Sequence, residues 1–468
     1  MNPFDLAIIG GGSAGYAAAR TATSLGARVA VIEGGPEVGG LCILRGCMPT
    51  KTLLESAHRN HEIEQAGTFG IDVSKPRPNL ARILRRKDAL IENFASYRRG
   101  QLEKGKFTFI RGHASFTDSH TLRIKPFPIG RATQLRAKTF LIATGSVVAL
   151  KPFPGLKETG FWTSDDAIRS RKKIGSLIVL GGRAVALELA QYFQHLGVEI
   201  TILQRSNRIL PQCDPDVSEV LTKVFTRDGA ALHTGTELVH FKKAGKKKTV
   251  TFRKASREMT VSADEILYAL GRNPATASLQ LPAAGVKTSG LQVAASRTMQ
   301  SSVPHIFAAG DVCGPYEVVH IAIQQGEIAA RNALRLIDGE KKLEKIDYRL
   351  KTEVIFTQPE VASVGLSETE AREQGIDFLS AAYPFNDHGK SMIMGATDGF
   401  VKIIAEKKRG EIIGAQIIGP SASDIIHEFI VAMHFRSTVD EFIKIPHYHP
   451  TLAEIVTYPA EEIAEALR

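Results

Sequence analysis

The chain has 468 residues, 43% of them hydrophobic and 23% charged, which predicts a folded protein of several domains and excludes a disordered or fibrous chain. Its net charge is +10, but the basic residues are scattered and not interleaved with aromatic ones, so no nucleic-acid partner is expected. No apolar run approaches the roughly 20 residues that span a bilayer, and we expect a cytoplasmic protein without a membrane partner.

The first predicted unit is a strand, a glycine turn, a helix and a second strand, in the segment DLAIIGGGSAGYAAARTATSLGARVAVIE. Gly10, Gly12 and Gly15 supply the tight turn, the close backbone approach to a pyrophosphate and the close packing of helix on strand. Glu33 ends the second strand, where a carboxylate accepts hydrogen bonds from ribose. The segment predicts a dinucleotide site, and a purely structural glycine turn is the alternative.

Two cysteines, Cys42 and Cys47, follow this unit in the segment GGLCILRGCMPTK. In a straight helix their Cα atoms would lie about 8.6 Å apart, which is beyond the reach of a disulfide. We therefore expect a distortion at Gly46 that brings both sulfurs near a helix N-terminus, where thiolates are favoured. The spacing alone favours two buried, unpaired cysteines, and the flanking nucleotide fold reverses this preference in favour of a redox pair.

The other two cysteines, Cys213 and Cys313, have no neighbours at the spacing of metal ligands. Four cysteines in a chain of this length also exclude a structural disulfide framework. We predict structural roles for both residues and no metal site.

A second strand-helix-strand unit occurs in SLIVLGGRAVALELAQYFQHLGVEITILQRS, with its turn at Gly181. Arg183 replaces the middle glycine, and Gln204 replaces the acid that binds ribose. The absence of the acid, together with the neighbouring Arg205, favours binding of a 2′-phosphate and hence of NADPH, with NADH still possible. The Cβ of Arg183 should crowd a pyrophosphate, whereas its guanidinium can contact phosphate. A second nucleotide site that no longer binds NAD(P) is therefore the alternative to an NADPH site.

Three further strands are predicted in TFLIATGS, DEILYALGRNP and HIFAAGDVCG. Open α/β sheets bind ligands at the carboxyl ends of their strands. Taken alone, the residues after each of these strands are as consistent with an ordinary loop as with a cofactor contact. The residues at these exits that we predict to bind a cofactor are Thr144, Gly145, Gly271, Arg272 and Asp311.

The C-terminal segment PHYHPTLAEI contains His447 and His449, followed by Glu454. Thiol-disulfide exchange needs a group that accepts and returns a proton near neutral pH, and histidine is suited to that task. Glu454 can accept a hydrogen bond from an imidazole N–H and fix its orientation. A histidine near a C-terminus is otherwise more often a surface or packing residue.

Taken together, these segments resemble the class I pyridine nucleotide-disulfide oxidoreductases, and most closely the dihydrolipoamide dehydrogenases. The resemblance covers the whole chain and rests on GGLCILRGCMPTK, GRNP, AAGDV, TQPEVASVG and HYHPTLAE. It implies an α/β fold with two Rossmann-like domains, for FAD and NAD(P), and a C-terminal α+β dimerisation domain. The implied domains are FAD-binding for 1–149 and 273–345, NAD(P)-binding for 150–272, and dimerisation for 346–468.

The resemblance also implies roles for the redox segment. Cys47 would lie beside the flavin, and Cys42 would exchange with a small-molecule disulfide or dithiol. Lys51 resembles the lysine near the flavin that pairs with a glutamate, here Glu188.

By the same resemblance the chain forms a homodimer. His449, supported by Glu454, would act as acid and base on the disulfide of the other subunit. Electrons would pass between NAD(P)H and the disulfide through FAD, in either direction.

Some features depart from dihydrolipoamide dehydrogenase. Arg183 and the QRS segment are similar to those of NADPH-using mercuric and glutathione reductases, yet the chain ends EEIAEALR without the cysteine pair of mercuric reductases. Arg20 and Tyr97 fall near positions that bind the peptide in glutathione reductases. Two other classes of function remain open: a quinone or dye reductase using the flavin alone, and an FAD-bound non-catalytic protein.

Overall fold

The structure is a computed structural model and describes residues 3–468. The strands are β1 (Phe4–Ile9), β2 (Val29–Glu33), β3 (Thr108–Asp118), β4 (Thr121–Pro126), β5 (Thr133–Ile142), β6 (Ser146–Val148), β7 (Ser176–Leu180), β8 (Glu199–Gln204), β9 (Ala231–Thr234), β10 (Thr236–Ala244), β11 (Lys247–Lys254), β12 (Arg257–Ala263), β13 (Glu265–Tyr268), β14 (Arg272–Pro274), β15 (Thr288–Ser289), β16 (Gln292–Val293), β17 (Ile306–Ala308), β18 (Thr352–Ile355), β19 (Glu360–Gly365), β20 (Phe378–Pro384), β21 (Phe400–Glu406) and β22 (Ile412–Gly419). The α-helices are α1 (Ser13–Ser24), α2 (Gly40–Arg45), α3 (Cys47–Glu64), α4 (Leu80–Glu103), α5 (Leu156–Thr159), α6 (Ser164–Ala167), α7 (Ala184–Gln194), α8 (Pro215–Arg227), α9 (Val319–Ile337), α10 (Glu368–Glu373), α11 (Gly389–Ile393), α12 (Ala422–His434), α13 (Val439–Phe442) and α14 (Thr457–Ala466). Short 3₁₀ helices occur at Ala66–Phe69, Leu281–Ala284, Phe385–Asp387 and Ala453–Val456.

The chain folds into two compact units. The first comprises the chain up to Pro49, Arg85–Leu150 and Gly271–Asp347. The second comprises Thr50–Leu84, Lys151–Leu270 and Tyr348–Arg468. The segment Thr50–Leu84 thus groups with the second unit, although the predicted boundaries give it to the FAD domain. Those boundaries stay a prediction, and residues 1 and 2 lie outside the described part of the chain.

The first unit is built on a mainly parallel sheet. Strand β1 lies between β2 and β5 and runs parallel to both, so that Ile8 pairs with Val31 on one side and with Leu141 on the other. Strand β3 extends the sheet beyond β2, and β17 extends it beyond β5. The last four residues of β1 are buried, as expected for a strand covered on both faces.

Strands β3 and β5 extend past the parallel sheet and pair with β4 in an antiparallel ribbon. Along β5, buried and exposed residues alternate at the start, whereas Thr139–Ile142 are all buried. The first part of β5 thus has the burial pattern of a half-exposed ribbon, and its last part has that of a central parallel strand.

Helix α1 packs against α9 in the same unit. The contact is close because both helices present small residues, and a Cβ added at Gly326 of α9 would overlap the backbone carbonyl of Ala14. The alanine-rich sequence of the first predicted helix therefore serves helix packing as well as helix formation.

The second unit contains a four-stranded parallel sheet in the order β13, β7, β8, β9, and an antiparallel ribbon of β10, β11 and β12. Every residue of β7 is buried, and α7 follows it to complete the second predicted strand-helix-strand unit. Strand β8 ends at Gln204, as the sequence predicts.

The C-terminal part of this unit is a five-stranded antiparallel sheet in the order β18, β19, β22, β21, β20. Helices α12 and α14 pack on the sheet, and their apolar residues form one core with it. The predicted fold class, two Rossmann-like domains and a C-terminal α+β domain, is confirmed. Within residues 3–468 no helix is both long and apolar enough to cross a membrane.

Gly15 allows a test of the packing around the first turn. A Cβ at this position would overlap the backbone carbonyl oxygen of Gly10. We expect Gly15→Ala to lower the free energy of unfolding by about 1 to 3 kcal/mol, measured by urea denaturation. Gly100→Ala in α4 is the matched control, because an added Cβ there has no atom within 4 Å, and it should stabilise by about 0.5 to 1 kcal/mol. Equal stability of Gly15→Ala and wild type would contradict this account of the turn.

Candidate active site

The first glycine turn presents the start of α1 to a ligand. Gly10 has a φ of +108°, and Gly12 precedes the helix without a side-chain cap, so the N–H groups of the first turn remain available. An added Cβ at Gly12 would have no neighbour closer than 4.0 Å, so the space in front of the helix is open. Glu33 lies at this turn, with Oε2 accepting from the backbone N–H of Gly11 at 2.8 Å. This arrangement fits a dinucleotide pyrophosphate and its ribose.

The predicted strand exits of the first unit meet at Ser146. Its hydroxyl donates to Asp311 Oδ2 at 2.6 Å and accepts from Arg272 Nε at 2.8 Å. Arg272 Nη2 also donates to the carbonyl of Ser146, and the hydroxyl of Thr144 donates to the carbonyl of Ala275. The sequence analysis did not include Ser146 among the cofactor contacts, although it joins two residues that were predicted.

Two glycines of the predicted set have conformations that favour glycine. Gly145 has a φ of +68° and Gly271 a φ of +119°. They flank the antiparallel pair of β6 and β14, in which Arg272 is opposite Val148. Their contribution to a cofactor site stays a prediction.

The second glycine turn has the same backbone but different side chains. Gly181 has a φ of +112°, and Arg183 precedes α7 without a side-chain cap. Gln204 is buried, and its side chain packs 3.2 Å from the position of a Cβ at Gly182. Arg183 and Arg205 are exposed. This site thus offers an amide and two cations where the first site offers a carboxylate.

The two cysteines of the predicted redox pair lie on separate helices. Cys42 belongs to α2 and Cys47 begins α3, with the chain interrupted at Gly46. A Cβ at Gly46 would lie 3.2 Å from the carbonyl of Leu41, so a larger residue has little room. The expected distortion of one helix is therefore a complete break. Cys47 at a helix N-terminus is in an environment that favours the thiolate.

Arg98 on α4 is a charged neighbour of this pair that the sequence analysis missed. Its guanidinium lies 4.1 Å from the centroid of the Tyr16 ring. Burial lowers the pKa of Arg98, while the negative forms of Tyr16 and Cys42 act to raise it. By reciprocity the guanidinium stabilises a thiolate at Cys42. Its Nε is buried without a hydrogen bond to any described residue.

Replacement of Arg98 tests this electrostatic support. We expect Arg98→Gln to slow alkylation of Cys42 by iodoacetamide about tenfold at neutral pH in the reduced protein, because the thiolate loses its cation. The pH at which the alkylation rate is half its maximum should move upward. Arg99→Gln is the matched control, since Arg99 points to Glu92 on the same helix. Superimposable pH profiles for Arg98→Gln and wild type would exclude the assigned role.

Lys51 and Glu188, predicted as a pair, are in contact in the second unit. Lys51 Nζ lies 2.8 Å and 2.9 Å from the two carboxylate oxygens of Glu188. Glu188 is buried and also accepts from the backbone N–H of Phe356 at 3.0 Å, and Lys51 lies over the ring of the same residue. These contacts fix the ammonium group in one orientation.

His449 and Glu454 form the predicted dyad, with 3.0 Å between Nδ1 and Oε2. The His449 side chain is 78% exposed, whereas that of Glu454 is only 10% exposed. A buried histidine, His388, lies 3.3 Å from the other carboxylate oxygen and is bonded to Ser391 through Nδ1 at 2.7 Å. The carboxylate thus lies buried next to His388, while the imidazole that it contacts is exposed.

The other histidine of the tail has a different environment. His447 Nε2 lies 2.8 Å from Glu428 Oε2, and its Nδ1 lies 2.9 Å from the carbonyl of Ile445. The side chain is 8% exposed, so His447 anchors the segment and is not available to a substrate. Of the two predicted histidines, only His449 is exposed, and its catalytic role stays a prediction.

The remaining two cysteines are chemically unreactive. Burial raises the pKa of the Cys213 thiol and of the Cys313 thiol to about 12 each. Both stay protonated near neutral pH and are poor nucleophiles.

Known proteins are similar to this chain over most of its length. Residues 4–326 match the family described as pyridine nucleotide-disulphide oxidoreductase, and residues 352–460 match its dimerisation domain. A mercuric reductase of Staphylococcus aureus is 35% identical over 437 residues, which are 93% of this chain and 78% of that protein. A dihydrolipoyl dehydrogenase of Chlamydia muridarum is 34% identical over 436 residues, 92% of this chain and 90% of its own length. The crystal structure of LpdA from Mycobacterium tuberculosis has a TM-score of 0.88 at 26% identity and covers 98% of this chain and 99% of its own.

The chain therefore belongs to the pyridine nucleotide-disulfide oxidoreductase family. It is an enzyme that uses FAD and NAD(P)H and acts in dithiol-disulfide redox chemistry, as the sequence predicts. Its C-terminal domain is a dimerisation domain. The first glycine turn with Glu33 fits the adenine dinucleotide part of FAD.

Proposed function

We propose that this enzyme uses NADPH to reduce a small-molecule disulfide. The choice of NADPH rests on the residues at the end of β8. Buried Gln204 takes the place of a ribose-binding acid there, and exposed Arg205 follows it. A carboxylate there would repel a 2′-phosphate, whereas a guanidinium pairs with it. Exposed Arg183, at the start of α7, adds a second cation for the phosphates.

The redox step follows from the positions of the two cysteines. Bound FAD supplies the route by which two electrons from NADPH reach the Cys42–Cys47 disulfide. In the reduced enzyme the Cys42 thiolate attacks the substrate disulfide, forms a mixed disulfide and releases one thiol. Cys47 then attacks Cys42, which releases the second thiol and restores the internal disulfide. NADPH, one proton and the disulfide thus give NADP⁺ and two thiols.

His449 provides the protons of this exchange. Each released thiolate needs a proton near neutral pH, and an imidazole oriented by a carboxylate delivers it. Because His449 is exposed on its own chain, we propose that it serves the cysteines of the partner in a homodimer. Glu454 is the positioning residue for this imidazole, and the Lys51–Glu188 pair is proposed to lie at the flavin.

Three finer assignments belong with this proposal. The FAD-binding segments 1–149 and 273–345, the NAD(P)-binding segment 150–272 and the dimerisation segment 346–468 are the proposed domains. Among the predicted cofactor contacts, Ser146 would be added because it joins Asp311 to Arg272. The cytoplasm, where thiols are kept reduced, is the proposed location.

An anaerobic titration of the yellow protein with NADPH, and separately with NADH, tests the proposal. We expect NADPH to reduce the flavin at about one equivalent and NADH to require a much higher concentration. Arg205→Leu should weaken the apparent affinity for NADPH about 10- to 100-fold and leave NADH unchanged, because only one carries the 2′-phosphate. Arg257→Leu, an exposed arginine on β12, is the control.

Two outcomes would contradict the proposal. Equal use of both cofactors, unaffected by Arg205→Leu, would remove the assignment of NADPH. A flavin that neither cofactor reduces would mean that Arg183 has disabled the second nucleotide site.

A further inference from the structure

A second cluster of ligating side chains lies in the second unit and has no part in the proposed reaction. It consists of His61, His195 and Asp228, each of which contributes one nitrogen or oxygen atom within 4.8 Å of the others. The three residues are far apart in sequence, and no spacing pattern connects them. His195 is buried, and the other two are half-buried.

The backbone around the cluster favours a cation. His61 lies in the last turn of α3, His195 directly follows α7, and Asp228 directly follows α8. The carboxyl ends of three helices therefore meet here, and each carries a partial negative charge. Asp228 adds a full negative charge to this field.

Buried imidazole nitrogens at this cluster are not satisfied by hydrogen bonds within residues 3–468. Both ring nitrogens of His195 are buried without a hydrogen bond to a described residue, and so is Nε2 of His58. A buried polar group of this kind costs free energy unless a ligand satisfies it.

Aromatic packing alone is the simpler explanation of the cluster. The rings of His61 and His195 are stacked, with centroids 4.0 Å apart and planes 9° from parallel. Stacking explains the proximity of the rings, but it leaves both nitrogens of His195 unsatisfied and does not account for Asp228. A bound cation accounts for the proximity of the rings and for Asp228, and it satisfies one of the two nitrogens of His195.

We propose that His61, His195 and Asp228 bind a divalent transition metal ion such as Zn²⁺, with water completing the coordination. Two imidazoles and a carboxylate form a donor set that suits Zn²⁺, with a fourth position left for water. The stacked rings must tilt toward a common point, and we expect half-buried His61 to be the ring that moves.

Neighbouring groups already hold the proposed ligands in place. The Nε2 atom of His61 lies 2.8 Å from the Gln65 side-chain amide. With that amide turned so that its carbonyl oxygen accepts from the Nε2–H group, the lone pair of Nδ1 remains for a metal. Gln194 Nε2 donates to the carbonyl of Asp228 at 2.9 Å, which ties the ends of α7 and α8 together. Hydrogen bonds from neighbouring groups to the ligating residues are typical of metal sites.

One cation already touches the cluster. Arg227 Nε lies 3.2 Å from Asp228 Oδ1. The same guanidinium is bound at 2.9 Å to both carboxylate oxygens of Asp398, which is its principal partner. The second oxygen of Asp228 is therefore left for the metal.

The test uses full-length, FAD-loaded protein in which Cys42→Ser and Cys47→Ser remove thiol ligands. Zn²⁺ binding is measured by equilibrium dialysis with elemental analysis, and Co²⁺ is added as a spectroscopic probe. We expect about one ion per chain and a Co²⁺ spectrum without thiolate charge-transfer bands. In the same background, His61→Gln and Asp228→Asn should each weaken the affinity at least about tenfold. His434→Gln, an exposed histidine on α12, is the control and should bind like the parent.

Two results would overturn the proposal. One is the absence of stoichiometric Zn²⁺ binding in the parent protein. The other is binding that His61→Gln and Asp228→Asn leave unchanged, which would place the ion elsewhere. Thermal unfolding of each variant distinguishes a lost ligand from a lost fold, because a folded variant that no longer binds Zn²⁺ supports the site. Since this test is independent of NADPH and of disulfide turnover, it does not depend on the proposed function.

Discussion

Replacing His449 with glutamine should lower the rate of disulfide reduction by about 10²- to 10⁴-fold and leave NADPH-dependent dye reduction at the wild-type rate. The reason is that the imidazole returns protons to thiolates, whereas a dye accepts electrons without this exchange. The measurement compares steady-state rates with a disulfide and with a dye on the same preparation. Because glutamine keeps the size but not the basicity of the ring, loss of binding alone is not expected.

Glu454→Gln and a surface histidine complete this experiment. The Glu454 variant should show a smaller loss and a changed pH-rate profile, since the carboxylate only orients the imidazole. His427→Gln, an exposed position on α12, should retain full activity with both acceptors. If His449→Gln reduced disulfides at the wild-type rate, another group would have to supply the proton.

Cys42→Ser should abolish disulfide reduction, because a hydroxyl cannot form the mixed disulfide with the substrate. NADPH should still reduce the flavin of this variant, since the nucleotide sites do not involve Cys42. The rates are measured as disulfide turnover at steady state and flavin reduction in a single anaerobic mixing experiment. We expect at least about a 10⁴-fold loss in the first quantity and less than about a twofold change in the second.

The variant Cys213→Ala controls for loss of any thiol. Burial raises the pKa of Cys213 to about 12, so its removal should leave turnover intact. Full turnover of the natural substrate by Cys42→Ser would instead favour a reductase that uses the flavin alone. These two variants thus separate a disulfide reductase from a quinone or dye reductase.

Local pattern was sufficient to predict much of the architecture. Both strand-helix-strand units lie where the sequence placed them, with β2 ending at Glu33 and β8 at Gln204. Their apolar strands, glycine turns and helices follow each other within a short segment, so each unit could be predicted from consecutive residues alone. The Lys51–Glu188 contact was expected only from the family resemblance, whereas the His449–Glu454 contact was also expected from the residues of the C-terminal segment.

Contacts between distant segments could not be predicted in this way. Arg98 interacts electrostatically with Cys42, which lies on a different helix, and nothing in its own helix distinguishes Arg98 from the adjacent Arg99. His388 contacts the Glu454 carboxylate from a separate part of the dimerisation domain. The ribbon formed by β3, β4 and β5 was also missed, because strands that belong to two sheets have no single period along their length.

The exposure of His449 has a consequence for how the enzyme responds to its own abundance. The His449 side chain is 78% exposed on the chain that carries it, and in the proposed reaction it serves thiolates of the partner. If it serves the cysteines of the partner, an isolated subunit has no complete catalytic site. Activity per subunit would then fall on dilution as dimers dissociate and recover on concentration. The amount of protein in the cell would set the specific activity of each subunit as well as the number of subunits.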